Sequence, residues 1–176
     1  MAVILKDLEK RVGAVVAHYW RTLAAQSKKQ RAGDADRGGR AAVTAGKQWD
    51  LVVVYKGKLV AALEFKSQRG PSFGNNFNNR SEEAIGTAHD LWTAFREGAF
   101  KNSARPWLGW VMLLEDCAAS RAPVAVDEPH FPVFPEFKGT SYMKRYELFL
   151  RRLVRERLYD SATLLVATEK EGKAGK

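Results

Sequence analysis

The segment Trp49–Gln68, WDLVVVYKGKLVAALEFKSQ, constrains the fold more than any other part of this chain. Two runs of β-branched and aliphatic residues, Leu51 to Tyr55 and Leu59 to Phe65, flank Lys56-Gly57-Lys58, where glycine can take the positive φ of a tight turn. An antiparallel hairpin is expected. Side chains alternate faces along a strand, so Glu64 and Lys66 share one face while Phe65 points the other way, toward a core. With a three-residue turn, or two residues plus a bulge, Asp50 falls opposite Glu64; a plain two-residue turn would put it on the other face. We expect the first register. Carboxylates directly across a ladder lie about 5 Å apart at Cβ, close enough to share one hard divalent cation. The adjacent ammonium of Lys66 can then position or deprotonate a water, which is equipment for cutting a phosphodiester. The same residues also suit a solvated sheet face carrying ordinary charges, and a bare D…ExK spacing does not separate the two readings.

The 176 residues suit one domain, large enough to bury about two-thirds of its unfolded surface without a metal or disulfide staple. We expect residues 1–168 to form a single domain and 169–176, the Lys/Gly-rich EKEGKAGK, to be a disordered tail. Lys and Arg number 29 against 20 Asp and Glu, a net charge of +9, which favours a polyanionic partner and nucleic acid above all. No apolar run approaches the roughly 18 residues that would span a bilayer, and no signal peptide is visible, so no membrane partner is expected. Cys117 stands alone, which excludes a disulfide framework and a Cys zinc site and fits a reducing cytoplasm. His18, His89 and His130 are scattered without ligand-spaced companions.

Along the chain, Leu5, Leu8, Val12, Val15, Val16, Tyr19 and Leu23 recur at helical period, which predicts an amphipathic helix over 3–25 packing on the sheet. Glu9 borders that stripe and is the helix carboxylate best placed to reach a site at the sheet edge; as a boundary residue in water it needs no such role. Residues 26–48 lose the pattern and read as a mobile basic loop whose Lys28, Lys29, Arg31, Arg37, Arg40 and Lys47 can meet phosphates. After the hairpin comes SQRGPSFGNNFNNR, read as a loop. Its Gln68, Arg69, Asn75, Asn76, Asn78, Asn79 and Arg80 are candidate base or phosphate contacts, since Asn pairs with adenine and Arg with guanine. Asparagine also favours tight turns for its own sake.

Ser81 reads as a helix N-cap with Glu82 and Glu83 in the first turn, followed by Ile85, Ala88, Trp92, Phe95 and Ala99 on one face. Trp107–Leu114 reads as a buried strand, residues 118–140 as a proline-punctuated excursion, and Ser141–Tyr159 as a helix with Tyr142, Tyr146, Phe149, Leu150 and Leu153 inward. Lys144, Arg145, Arg151, Arg152 and Arg155 fall on the other side of that helix, as a phosphate-binding or simply solvated face. Leu164–Val166 makes a last strand.

The resulting order, α-β-β-α-β-α-β with the carboxylates and lysine on the central hairpin, resembles the PD-(D/E)XK nuclease core, a mixed α/β sheet flanked by helices. Asp50, Glu64 and Lys66 would be its signature positions, with Trp49 in place of the proline. More specifically, the hairpin followed by GPSFGNNFNNRSEEAIG, EPHFPVFPEFKG, SYMKRYE and LVRERLY resembles the XhoI family of type II restriction endonucleases over most of residues 10–168. The resemblance implies magnesium-dependent hydrolysis of both strands of duplex DNA at a palindrome, CTCGAG in characterised members. It implies a homodimer in a bacterial cytoplasm, paired genetically with a methyltransferase. Asp50, Glu64 and the Phe65 backbone carbonyl would hold Mg2+, with Glu9 as a further ligand, and Lys66 would orient or deprotonate the water or stabilise the developing charge. Members of the family run on past the last strand, whereas this chain stops about ten residues after it, which would bear on dimerisation and site specificity. Two alternatives share the core: a structure-specific resolvase or repair nuclease, and a truncated, non-cleaving DNA-binding module.

Overall fold

A computed structural model describes residues 49–174. The chain separates into two compact units, residues 42–166 and residues 1–41 with 167–176. Strands β1 (Leu51–Tyr55) and β2 (Lys58–Gln68) form the expected antiparallel hairpin. Lys56 and Gly57 both take positive φ, 49° and 72°, as a two-residue turn matched to the strand twist requires. The ladder pairs Leu51 with Leu63 and Val53 with Ala61, then slips to Val54 with Leu59, leaving Val60 as the extra residue of a bulge. That bulge corrects the parity of the short turn and brings Asp50 opposite Glu64.

Helix α1 (Phe73–Arg96) is the crossover that returns the chain to β3 (Trp107–Glu115), the parallel neighbour of β2, with Glu64 against Trp110 and Lys66 against Met112. The short α2 (Ala118–Arg121), a 3-10 turn at Pro135–Phe137 and α3 (Tyr142–Arg155) follow. Strand β4 (Ser161–Ala167) completes a four-stranded mixed sheet in the order β1-β2-β3-β4, and α4 (Glu169–Ala174) follows it. The fold is α/β, a mixed sheet with helices beside it. The element order differs from the expected one: the described residues add α2, the 3-10 turn and α4. The predicted helix over 3–25 and the loop over 26–48, with Glu9, Lys28, Lys29, Arg31, Arg37, Arg40 and Lys47, lie outside the described residues.

The core joins Ala62, Leu108, Trp110, Met112 and Leu114 of the strands to Ala84, Ala88 and Leu91 of α1, Tyr146, Leu150 and Leu153 of α3, and Tyr159. All the strand members have even numbers, so the face that carries Glu64 and Lys66 is the helix-covered one. This reverses the expectation that Phe65 points to the core; Phe65 is only half-buried and belongs to the opposite face.

Helix α1 starts at Phe73, eight residues before the expected cap at Ser81. Phe73 stacks on Tyr142 with centroids 5.9 Å apart, and Phe77 meets Tyr146 edge-on at 4.9 Å. Such packing outweighs the weak helix preference of the asparagines between them. Ser81 lies inside the helix and donates its hydroxyl to the Phe77 carbonyl. Helix α4 replaces part of the expected disordered tail. Thr168 and Glu171 exchange bonds as a capping box, the Thr168 N–H donating to Glu171 Oε2 at 2.9 Å and the Glu171 N–H to Thr168 Oγ1 at 3.2 Å. The excursion over 118–140 closes at its base, where the Val124 N–H donates to the Thr140 carbonyl.

Candidate active site

Asp50 sits in a bend just before β1, exposed, and its Oδ2 accepts the Phe65 N–H at 2.8 Å. Because the N–H and C=O of one strand residue point to the same neighbour, the Phe65 carbonyl belongs to this same edge. Glu64, across from Asp50, is 1 % exposed. Its Oε2 accepts from Lys66 Nζ at 3.0 Å, and the same ammonium donates to Glu83 Oε1 at 3.0 Å. The ammonium also lies 5.9 Å from the centre of the Trp110 ring.

Burial opposes the charge on Lys66, but the hydrogen bonds and fields of Glu64 and Glu83 outweigh it and raise the lysine above its ordinary value. Glu83 is the mirror case. Burial pushes its carboxyl up, while the bonds from Lys66 and Arg80 more than offset that and leave it lowered. Lys66 is therefore a firmly protonated ammonium at neutral pH. Arg80 reaches Glu83 Oε2 through Nη1 at 2.5 Å, completing a line of alternating charge, Glu64–Lys66–Glu83–Arg80.

Glu83 was missed by sequence reasoning, which took it for a first-turn charge. The helix starts earlier, so Glu83 lies in its third turn, above Lys66. Among the described residues no group of three or more His, Cys, Asp and Glu side chains is able to hold a metal ion. Magnesium asks for less, taking one or two carboxylates and filling the rest of its octahedron with water or phosphate oxygens. The hard oxygens of Asp50 and Glu64, cross-strand neighbours beside the Phe65 carbonyl, fit that ion.

The other predicted residues divide. Asn75, Asn78 and Asn79 are exposed on the first turns of α1, at spacings that place them on one face. Asn76, Arg69 and Arg80 are half-buried, and Arg80 Nε is buried with no hydrogen-bond partner among the described residues. Gln68 corrects the expectation of a DNA contact. It is 2 % exposed, donates Nε2 to the Phe73 carbonyl at 3.1 Å, and accepts the Tyr146 hydroxyl. Strand parity puts Gln68 on the same covered face as Glu64 and Lys66.

The cations of α3 are also largely committed. Lys144 and Arg151 both bind Glu147, at 2.8 and 2.7 Å. Arg145 donates to the Val124 carbonyl, and Arg152 binds Glu136 while lying over the rings of Phe134 and Phe137, so this pair holds the 118–140 excursion against the helix. Arg155 is exposed on the last turn.

A basic α/β chain with Glu64 and Lys66 on an inner strand of its sheet and Asp50 across from them has the groups that phosphodiester chemistry uses, and comparison with known proteins is specific. The model of the XhoI restriction endonuclease family matches residues 45–176, and the chain belongs to that family. It is 60 % identical to the type II restriction enzyme BstVI of Geobacillus stearothermophilus over 136 residues, 74 % of this chain and 61 % of that enzyme. It is 59 % identical to the type II restriction enzyme XhoI of Xanthomonas vasicola over 108 residues, 61 % of this chain and 44 % of the relative. To the type II restriction enzyme AbrI of Azospirillum brasilense it is 68 % identical over 85 residues, 48 % of this chain and 38 % of the relative. The chain thus spans between 38 % and 61 % of the length of these relatives. No solved structure matches it. Among the described residues no helix is long and apolar enough to cross a membrane.

Proposed function

We propose that this chain is a type II restriction endonuclease built on a PD-(D/E)XK core, which hydrolyses both strands of duplex DNA at a palindrome, CTCGAG, with magnesium. The observation that carries the reading is the edge where the Asp50 carboxylate caps the Phe65 N–H directly across from Glu64, with Lys66 bonded to Glu64. Family membership supports the same reading.

Asp50, Glu64 and the Phe65 carbonyl would hold the ion. When bound, magnesium supplies Lewis-acid charge at the scissile phosphate. Lys66 contributes a fixed positive charge and oriented donors: two of its protons go to Glu64 and Glu83, and the third is left to orient the attacking water or to stabilise charge building on the phosphate oxygens. Asn75, Asn78 and Asn79 supply exposed amides for base edges, and Arg69, Arg80 and Arg155 supply charge for phosphates. A homodimer places two such sites on the two strands, since a palindrome mirrors a two-fold axis. We assign the enzyme to the bacterial cytoplasm, alongside a genetically paired methyltransferase.

The test is incubation of the purified chain with a plasmid bearing one CTCGAG site, in magnesium or in EDTA, beside a plasmid with that site altered. One linear product, only with magnesium and only from the intact site, is expected. Equal cutting of both plasmids would overturn the site assignment, and no cutting of either would overturn cleavage by this chain. Sedimentation showing only monomer at micromolar concentration, with and without DNA, would remove the dimer.

A further inference from the structure

Two cations, Lys66 and Arg80, approach one carboxylate in this site. Glu83 gives Oε1 to the ammonium at 3.0 Å and Oε2 to the guanidinium at 2.5 Å. Without that carboxylate the two like charges would repel at close range. The bridge also crosses elements: Lys66 belongs to the central strand, whereas Arg80 and Glu83 belong to α1. The carboxylate therefore fixes the height of the strand lysine relative to the helix that carries the Asn-rich face.

We propose that Glu83 is a positioning residue of the cleavage site, a two-oxygen bracket that holds Lys66 and Arg80 side by side so that both donors face neighbouring phosphate oxygens of the bound strand. This rests on the cleavage reading above and extends it to a residue that would itself touch neither DNA nor the magnesium ion. A neutral amide breaks the bracket with almost no change of shape. Glutamine has one acceptor oxygen and turns its NH2 group toward the second cation, so Glu83→Gln keeps at most one of the two bonds.

The experiment uses the full chain and its Glu83→Gln and Lys66→Met variants. Single-turnover cleavage of duplex DNA at saturating magnesium is measured beside DNA affinity in EDTA, and the Lys66 ammonium is followed by NMR in 15N-lysine-labelled protein. Glu83→Gln should slow cleavage by about 10- to 100-fold, as misplacement of a catalytic group does. The DNA dissociation constant should change by less than about threefold, because Glu83 makes no contact of its own with DNA and one lost phosphate contact is worth only a small factor. The ammonium resonance, sharp when held out of exchange with water, should broaden. Parental cleavage by Glu83→Gln, or an unchanged ammonium resonance, would overturn the inference. Parental cleavage by Lys66→Met would instead overturn the cleavage reading, as would a parent chain that does not cut. In either case the ammonium signal still decides whether Glu83 holds Lys66.

Discussion

Replacing Tyr146 by phenylalanine deletes one oxygen from the core and isolates the amide oxygen of Gln68. Gln68 is 2 % exposed and Tyr146 1 %, so no water takes the place of the hydroxyl. The side chain of Gln68 has one acceptor; its donor goes to the Phe73 carbonyl, and the Tyr146 hydroxyl is the partner of the acceptor. Burial holds the tyrosine hydroxyl protonated, well above its ordinary pKa, so it serves as a donor throughout the working range. Leaving a buried acceptor unsatisfied costs about 1–3 kcal/mol. For a chain of this size each kcal/mol is about 2–4 °C in Tm, so Tyr146→Phe should melt roughly 4–8 °C lower at the middle of that range. Urea titration should show the midpoint falling with an unchanged slope, since no surface is exposed. Adding Gln68→Met removes the stranded acceptor and should return most of the loss, because replacing both partners by apolar groups of similar shape is nearly neutral. A loss below about 0.3 kcal/mol for Tyr146→Phe, or no recovery in the double variant, would refute the buried pair. A tenfold loss of DNA affinity in Gln68→Met at parental stability would refute the interior placement of Gln68.

Glu64→Ala should abolish cleavage while preserving or tightening DNA binding, because it removes a negative charge from a site that meets phosphates; loss of binding together with folding would point to a core defect. Gly74→Ala should destabilise by about 1 kcal/mol, since its Cβ would lie 2.6 Å from the Tyr142 hydroxyl. Gly86→Ala, with nothing within 4 Å, should stabilise by about 0.5–1 kcal/mol, and equal signs in the two melts would refute the close approach. The Glu83 bracket also carries a pH signature. Its carboxyl is lowered in the folded state, so its stabilisation is present above the unfolded value of 4.5 and fades as pH falls through the folded one. Lys66 is raised, so the lysine side of the bracket persists below 10.5 and fades only as pH rises past its folded value. The gap in Tm between parent and Glu83→Gln should therefore be a plateau between about pH 5 and 10 that closes on the acid side; a gap that widens in acid would refute it.

The hairpin was legible because two independent signals agreed: Lys56-Gly57 fixes the turn, and the parity needed to bring Asp50 to Glu64 demands one bulge, which Val60 supplies. Gln68 was legible too, had the alternation through Ala62, Glu64 and Lys66 been carried one step further. The stripe Phe73, Phe77, Ala84, Ala88 and Leu91 marks α1 from its first turn, but asparagine and glycine between the aromatics mask it, and partners distant in sequence, Tyr142, Tyr146 and Phe149, make the early turns favourable. Thr168-Glu169-Lys170-Glu171 has the spacing of a capping box inside what reads as a charged tail. Glu83 had no local signal. Its meeting with Lys66 follows from the height at which a helix crosses a strand, which side-chain packing sets.

Asn75, Asn78 and Asn79 are exposed on α1, while Phe73 and Phe77, one turn apart on its other side, anchor the same stretch to α3. Substitutions at exposed helix positions away from packing usually change stability by less than about 0.5 kcal/mol. Stability therefore places little restraint on which side chains this surface displays. The outward pattern can be rewritten by drift or by selection, one codon at a time, while the strand beneath it keeps Glu64 and Lys66 under the constraint of the core.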